Sequence, residues 1–304
     1  TRIGSISKTM TAVAAMRLVS RGDLDLDKPV STYLKDFDGP ARKVSLRRLA
    51  SHTGCVRTYR EGEGIVYKHY ATTYEALELF QDDLLECEPG TQFIYSSFGF
   101  NLLSAVLAEA VGASFHEVMS KTVWKPLGLS ATDFDDVFRI IPGRARFYEV
   151  DSNGDLVNAQ FTDSSYKYAG AGMLSSTHDL ARYGAALIGD DFLSAAEKEA
   201  LFSAQRLTDG SATAYGLGWY VDFEKFIEDR RASIPPELYD GLMTQIEGRR
   251  IIWHSGTLEG AVAILMMEPA ESRVLALALN KGDLEKEAIV TALTLMTLLK
   301  EQPQ

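Results

Sequence analysis

The period of the apolar and polar positions changes in the C-terminal third of the chain. In 5–18 the apolar residues Met10, Val13, Ala14 and Leu18 recur at helical spacing, and Gly22 follows as a stop before the Asp-rich stretch 23–28. A helix is therefore predicted to open almost at Ser5. From 44 to about 205 the texture stays mostly helical, with helices predicted over 46–50, 73–83, 98–111, 115–126, 177–188 and 194–202 and loops rich in Gly, Pro and Asp between them. The clearest is 98–111, where Leu102, Leu103, Val106, Leu107, Ala110 and Val111 follow the i, i+3, i+4 rule and Gly112 supplies a C-terminal stop. After that, short runs rich in Val, Ile, Leu and aromatics at 215–221, 250–253, 261–267 and 274–279 read as an antiparallel meander. A last helix is predicted over 285–300. No internal repeat or low-complexity tract interrupts this order. The expected fold class is α+β, an antiparallel sheet flanked by terminal helices with a mainly helical inserted domain. The expected division is a sheet domain from 1–34 and 207–304 and a helical domain from 35–206.

Composition narrows the class. With 304 residues, 46% hydrophobic and 24% charged, the chain can bury one large core or two modest ones, which excludes disordered, collagen-like and coiled-coil readings. Thirty-one Lys+Arg against 42 Asp+Glu leave a net charge of −11. That charge repels phosphate backbones and anionic lipid unless a local basic patch overrides it, and the sequence shows no such patch. No nucleic-acid partner and no membrane span is expected, and the oligomeric state is left open. The longest apolar runs, 261–267 and 274–279, fall far short of the ~20 residues of a spanning helix. Cys55 and Cys87 are too few for a disulfide framework or a four-cysteine zinc site, and they leave the compartment open. Residue 1 is Thr, with no signal segment ahead of the first helix, so sequence upstream is expected to have been removed or left out.

Several catalytic patterns are absent from the sequence: His-Glu-x-x-His, Gly-x-Ser-x-Gly, the P-loop, and a Gly-x-Gly-x-x-Gly between strand and helix. The scattered histidines His52, His69, His116, His178 and His254 read as surface or hydrogen-bonded structural residues, so no metal and no cofactor is expected. What remains is Ser5-Ile6-Ser7-Lys8. A spacing of three puts Ser5 and Lys8 on one helical face within reach of each other, and a helix N-terminus favours developing negative charge. The lysine takes the serine proton only when neutral, which requires burial or a neighbouring cation. About one Ser-x-x-Lys is expected by chance in such a chain, and Ser164-Ser165-Tyr166-Lys167 is a second. The first is preferred because Gly4 precedes it and an amphipathic helix follows. Two further pieces stand out. Tyr95-Ser96-Ser97 precedes a helix, and its phenol relays protons if a neighbouring cation lowers its pKa, while Ser97 could orient substrate or Lys8. His254-Ser255-Gly256-Thr257 lies between two strands, where small residues let a substrate lie alongside and a backbone N–H can face an oxyanion.

Taken together, in this order and in these contexts, the three pieces strongly resemble the serine β-lactamase and penicillin-binding-protein superfamily. The resemblance is to its class C and esterase type, and within that to the mitochondrial and bacterial β-lactamase-like branch. It extends through Leu49-Ala50-Ser51-His52-Thr53-Gly54, Pro126-Leu127-Gly128-Leu129, Gly170-Ala171-Gly172-Met173 and Tyr215-Gly216-Leu217-Gly218-Trp219. It implies a β-lactamase/transpeptidase-like fold and a serine hydrolase working through an acyl-enzyme. It also implies Ser5 as nucleophile, Lys8 as base or its electrostatic partner, and Tyr95 as proton relay. The backbone N–H groups of Ser5 and Thr257 would form the oxyanion hole, with Ser97, His254, Ser255 and Gly256 along the substrate. Relatives normally carry a helix and strands ahead of the nucleophile, so upstream sequence or compensating contacts are expected.

Two departures from the pattern change the expected chemistry. Ser97 stands where the superfamily often has Asn, and His254 where β-lactamases place a lasting lysine cation. A histidine with an unperturbed pKa of ~6.5 is mostly neutral at pH 7. Esters or peptide-like amides of small or peptide-like substrates are therefore expected over β-lactams. A true class C-type β-lactamase or a D-amino-acid peptidase is the alternative within the enzyme class. A non-catalytic binding or scaffold protein that keeps the fold is the alternative outside it. Arg57 and Arg60 are read as solvated surface arginines that could bind an acidic group.

Overall fold

The computed structural model describes residues 1–299. In chain order the helices are α1 Ile6–Arg21, α2 Leu46–Ala50, α3 Ser97–Ala110, α4 Phe115–Met119, α5 Thr177–Ile188, α6 Ala195–Phe202, α7 Phe223–Glu228, α8 Pro236–Ile246 and α9 Glu285–Leu298. The strands are β1 Asp133–Phe134, β2 Tyr148–Val150, β3 Leu156–Asn158, β4 Met173–Leu174, β5 Ile252–Leu258, β6 Ala261–Glu268 and β7 Arg273–Leu279. Helix starts follow local chemistry. Serine side chains at 45, 96, 114, 176 and 194 accept from an amide in the first turn, and Ser114/Glu117 and Ser194/Glu197 complete capping boxes.

The main sheet is antiparallel in the order β5-β6-β7, with Ser255 opposite Ile264 and Ile264 opposite Leu277. Every residue of β6 is buried, so the sheet is covered on both faces. Alternation divides its side chains. Ile252, Ala263, Leu265 and Met267 join the core that contains α1, α3 and α5. Trp253, Val262, Ile264 and Met266 join the second core under α7, α8 and α9. Helix α1 lies deep in the first core and is buried almost all round over Ile6 to Met16, more than the one-sided pattern of 5–18 predicts. Its buried hydroxyls are satisfied locally: Ser7 donates to Gly4 O, Thr9 to Ile6 O, and Thr11 to Ser7 O and Ala169 O.

The structure differs from the sequence expectations at several elements. The predicted strand 215–221 folds back on itself through a bend at 217–219, with Gly218 at φ +79, and among the described residues is joined only by single bridges, Tyr215 to Tyr220 and Tyr220 to Trp253. The predicted helix 73–83 shrinks to a 3-10 turn, Glu75–Leu79, and 115–126 passes from α4 into a π-helical stretch, Ser120–Trp124. Strand β5 runs on through His254 to Leu258, so these residues form strand and not a connecting loop. The pattern reading missed α7 and α8, although Asp222 caps the first and Pro236 opens the second. Of the last predicted helix, residue 300 lies outside the described residues. Among the described residues no single helix is long and apolar enough to cross a membrane.

Cys55 and Cys87, left unassigned by their number alone, are bonded to each other with Cα atoms 5.3 Å apart. The bond closes a loop of sequence separation 32 and pins the segment that carries Arg57 and Tyr59. For a loop of this length the chain-entropy relation gives about 3–4 kcal/mol of stabilisation. Urea unfolding with and without dithiothreitol should show a loss of that order. Equal midpoints in the two titrations would mean that the bond carries no stabilising constraint.

Candidate active site

The segment before α1 is held between two strands. Ile3 N–H donates to Met173 O at 3.1 Å, and Arg2 Nε donates to the buried Asp135 carboxylate at 2.8 Å. Gly4 then turns the chain with φ +48, and a Cβ there would lie 2.6 Å from Thr257 N. A Cβ on Gly256 would lie 1.8 Å from Ile3 O and 2.9 Å from Ser5 N. The two glycines therefore let β5 pass close beside the N-cap of α1. This brings the backbone nitrogens of Ser5 and Thr257 to the same place, although 252 positions separate the two residues in the chain.

One turn into α1, Lys8 is fully buried. Its Nζ lies 2.9 Å from Ser5 Oγ, 3.0 Å from Ser97 Oγ and 2.8 Å from Gly170 O. None of these partners is a carboxylate, and burial holds the amine well below the ordinary lysine range. The Gly170 carbonyl can only accept, so it takes one of the two protons of a neutral amine. The remaining proton and lone pair are shared between the two hydroxyls. The short Ser97 side chain thus reaches Lys8 from the first turn of α3.

Tyr95 stands over this amine, with Lys8 Nζ 4.7 Å from its ring centroid. Burial pushes its phenol well above the ordinary range. This reverses the expectation that a neighbouring cation lowers it, because Lys8 is itself driven toward the neutral form. His52, from the 51–54 turn, packs its ring 4.2 Å from that of Tyr95 and accepts the Ser96 N–H at Nδ1, 3.0 Å. His52 is buried and its imidazole is held well below its ordinary pKa, first by burial and then by Lys8 and His254. It is a neutral structural wedge under the Tyr95 loop.

His254 and Ser255 do not line the cleft at Ser5. His254 is buried, with Nδ1 donating to Ser255 O at 2.5 Å. Because that carbonyl only accepts, the other nitrogen, Nε2, receives the Tyr215 O–H at 2.9 Å. Both ring nitrogens are occupied within the protein. Burial, with Lys8 adding to it, pushes the imidazole down to about 3. Ser255 Oγ donates to Glu285 Oε1 at 2.6 Å, across the strand from Ser5.

Ser5, Ser97 and Thr257 line a cleft of ≈ 320 Å³ together with Tyr59, Glu149, Lys167, Glu259 and Asp283. The sequence reading did not place the last five here. The one available signal was the second Ser-x-x-Lys. Its Lys167 is buried and donates to Gly64 O at 3.0 Å and to Glu259 at 3.3 Å, whereas Ser164 points to Asp135. Arg57 is not a solvated surface residue. It is buried, with Nη1 2.5 Å from Glu63 and Nε 2.6 Å from Asp83, so its charge is occupied inside the fold, while Arg60 is exposed and joins Asp83 at 3.2 Å. Larger hollows of ≈ 560 and ≈ 530 Å³ lie beside Phe115 and beside Arg206, but neither is lined by a serine–lysine pair in contact.

A model of the beta-lactamase family matches residues 1–296. The chain belongs to that family. It is 29% identical over 256 residues to the serine beta-lactamase-like protein LACTB, mitochondrial, of Homo sapiens, an alignment covering 62% of this chain and 47% of that protein. It is 21% identical over 281 residues to protein flp of Staphylococcus aureus (strain N315), covering 89% of this chain and 50% of that one. The chain thus spans about half the length of the curated relatives it matches. Among solved structures, D-amino acid amidase from Ochrobactrum anthropi SV3 superposes with a TM-score of 0.78 at 19% identity, over 99% of this chain and 84% of that one. The octameric penicillin-binding protein homologue from Pyrococcus abyssi superposes with a TM-score of 0.76 at 24% identity, over 99% and 66%. At these identities the likeness is one of fold, and the α+β, β-lactamase/transpeptidase-like fold is the one expected from the sequence.

Proposed function

We propose that this chain is a serine hydrolase that cleaves ester or peptide-like amide bonds through an acyl-enzyme on Ser5. The reading rests above all on one observation: a fully buried lysine amine, with no carboxylate partner among the described residues, lies 2.9 Å from the Ser5 hydroxyl. In this reading Lys8 Nζ takes the hydroxyl proton as Ser5 Oγ bonds to the substrate carbonyl carbon. The negative charge that appears on the carbonyl oxygen is received by the N–H groups of Ser5 and Thr257. The proton on Lys8 then passes through the Tyr95 hydroxyl to the leaving oxygen or nitrogen as its bond to carbon breaks. Water repeats the sequence, giving one proton to Lys8 while its oxygen attacks the acyl carbon, and Ser5 Oγ regains its hydrogen. Tyr95 fits this role because a phenol with a raised pKa keeps its proton until a more basic leaving group accepts it. The cleft then sits at the seam of a sheet part, 1–34 and 207–304, and a helical part, 35–206.

The neutral, internally bonded His254 argues against efficient β-lactam turnover, since it offers no cation to a drug carboxylate. The expected result is hydrolysis of p-nitrophenyl esters with little turnover of nitrocefin. Efficient cephalosporin hydrolysis beside inert esters would reverse that preference and favour the class C-type reading. A fluorophosphonate probe should label Ser5 in the native chain and fail to label Ser5→Ala. An unlabelled native chain that binds small peptides would favour the non-catalytic scaffold instead.

A further inference from the structure

The charges around the catalytic cleft bear on which substrates enter it, an inference that rests on the hydrolase reading above. Three carboxylates line the cleft with Ser5, those of Glu149, Glu259 and Asp283, against one cation, Lys167. Lys167 is already paired with Glu259 at 3.3 Å. Among the described residues Glu149 and Asp283 have no ion-pair or hydrogen-bond partner for their side chains, and the neighbouring Lys281 neither lines the cleft nor pairs with either.

The two free carboxylates are held near each other by the backbone. Tyr148 N–H donates to Asn280 O at 3.0 Å, and Gly282 N–H donates to Tyr148 O at 2.9 Å, which ties the segment of Glu149 to that of Asp283. The Glu149 side chain lies against this turn, its Cγ at ordinary contact distance, 3.5 Å, from where a Cβ of residue 282 would stand. Asp283 takes φ +59, a conformation that few residue types adopt readily. Like charges held together at the mouth of a partly enclosed cleft repel each other until a cation enters. A second feature points to an occupant. The Tyr59 hydroxyl oxygen is buried beside Ser97 in the wall of the same cleft and, among the described residues, makes no hydrogen bond of ordinary geometry. It offers a lone pair and a proton to a polar group from outside.

We infer that the cleft selects substrates bearing a positively charged amine near the scissile bond, with Glu149 and Asp283 as the pair that recognises it, and that it rejects substrates carrying a carboxylate there. The test compares three p-nitrophenyl esters of matched length: the neutral caproate, the cationic ε-aminocaproate and the anionic hemiadipate. At low ionic strength kcat/KM should fall in the order cation, neutral, anion, by roughly tenfold at each step. Added salt should compress both ratios toward unity, because charges at a cleft mouth are screened. In the double variant Glu149→Gln with Asp283→Asn, the cation-to-neutral ratio should drop to about one; Asn tolerates the backbone of position 283. Equal rates for the three esters, a faster anion, or a cation preference that the double variant leaves intact would overturn the inference while the hydrolase reading stands. Should the double variant not fold, the salt dependence of the native ratios decides alone, and a salt-insensitive ratio counts against the pair. If none of the esters is turned over and Ser5 resists labelling, the hydrolase reading falls, and this inference with it.

Discussion

Replacing Lys8 by methionine should lower kcat/KM on p-nitrophenyl esters by about 10²–10⁴, the range over which a positioned general base acts. Methionine keeps much of the stem volume and removes the amine, so α1 should remain packed while the Ser5 hydroxyl loses its proton acceptor. Fluorophosphonate labelling of Ser5 should slow in parallel. If the variant turns over ester at the native rate, the base is another group. The pH profile gives an independent check. Lys8 acts when neutral, and burial lowers its pKa, so activity should rise as pH climbs through a value well below the ordinary lysine range. It should fall only at strongly alkaline pH, where the raised Tyr95 phenol ionises. His254 is already neutral above about pH 4, since its pKa is pushed down to about 3. The profile should persist in His254→Gln, whose side-chain amide can still bond Tyr215. Loss of the acid limb in that variant would assign the limb to histidine and not to lysine.

Gly256→Ala should cost the protein both activity and stability. Its Cβ would fall 1.8 Å from Ile3 O, a backbone atom that cannot swing aside as a side chain could. Either β5 or the segment leading to Ser5 must move, and forced overpacking of this kind costs about 1–3 kcal/mol or more. The same movement separates the Thr257 and Ser5 nitrogens. Losing one oxyanion donor alone reduces rate by about 10²–10³. Thermal unfolding and ester turnover, measured together, should both fall. Native turnover in a destabilised Gly256→Ala chain would show that the approach of β5 to Ser5 serves packing and not catalysis.

The parts of the molecule that were legible in the sequence are those where chemistry is local. Helix α5 was predicted at its observed bounds, because Ser176 caps it and its apolar stripe is one-sided. Strands β6 and β7 were legible from short β-branched and apolar runs bounded by turn residues. The Ser5–Lys8 contact follows from a spacing of three on one helix. Failures came where long-range packing overrides the local pattern. The strand-like run 215–221 finds no continuous partner because the chain bends within it: Gly218 takes φ +79 and its N–H donates to Ala50 O, and Gly216 N–H donates to Trp219 O. Arg57 looks like a surface residue until the fold brings Glu63 and Asp83 around it.

The sequence alone determined the longer helices and the strands β6 and β7, the family, and the proximity of a hydroxyl to an amine one helical turn away. All of these depend on residue identity and short spacing. Tertiary structure decided the protonation states, since the lowered Lys8 and raised Tyr95 arise from burial by segments scattered along the chain. It also decided that Lys167, Glu149, Glu259, Asp283 and Tyr59 share a cleft with Ser5, and that His254 turns its nitrogens inward. Desolvation and charge proximity are properties of distance in space. A chain of separate motifs does not carry those distances until β5 is laid against the N-terminus of α1.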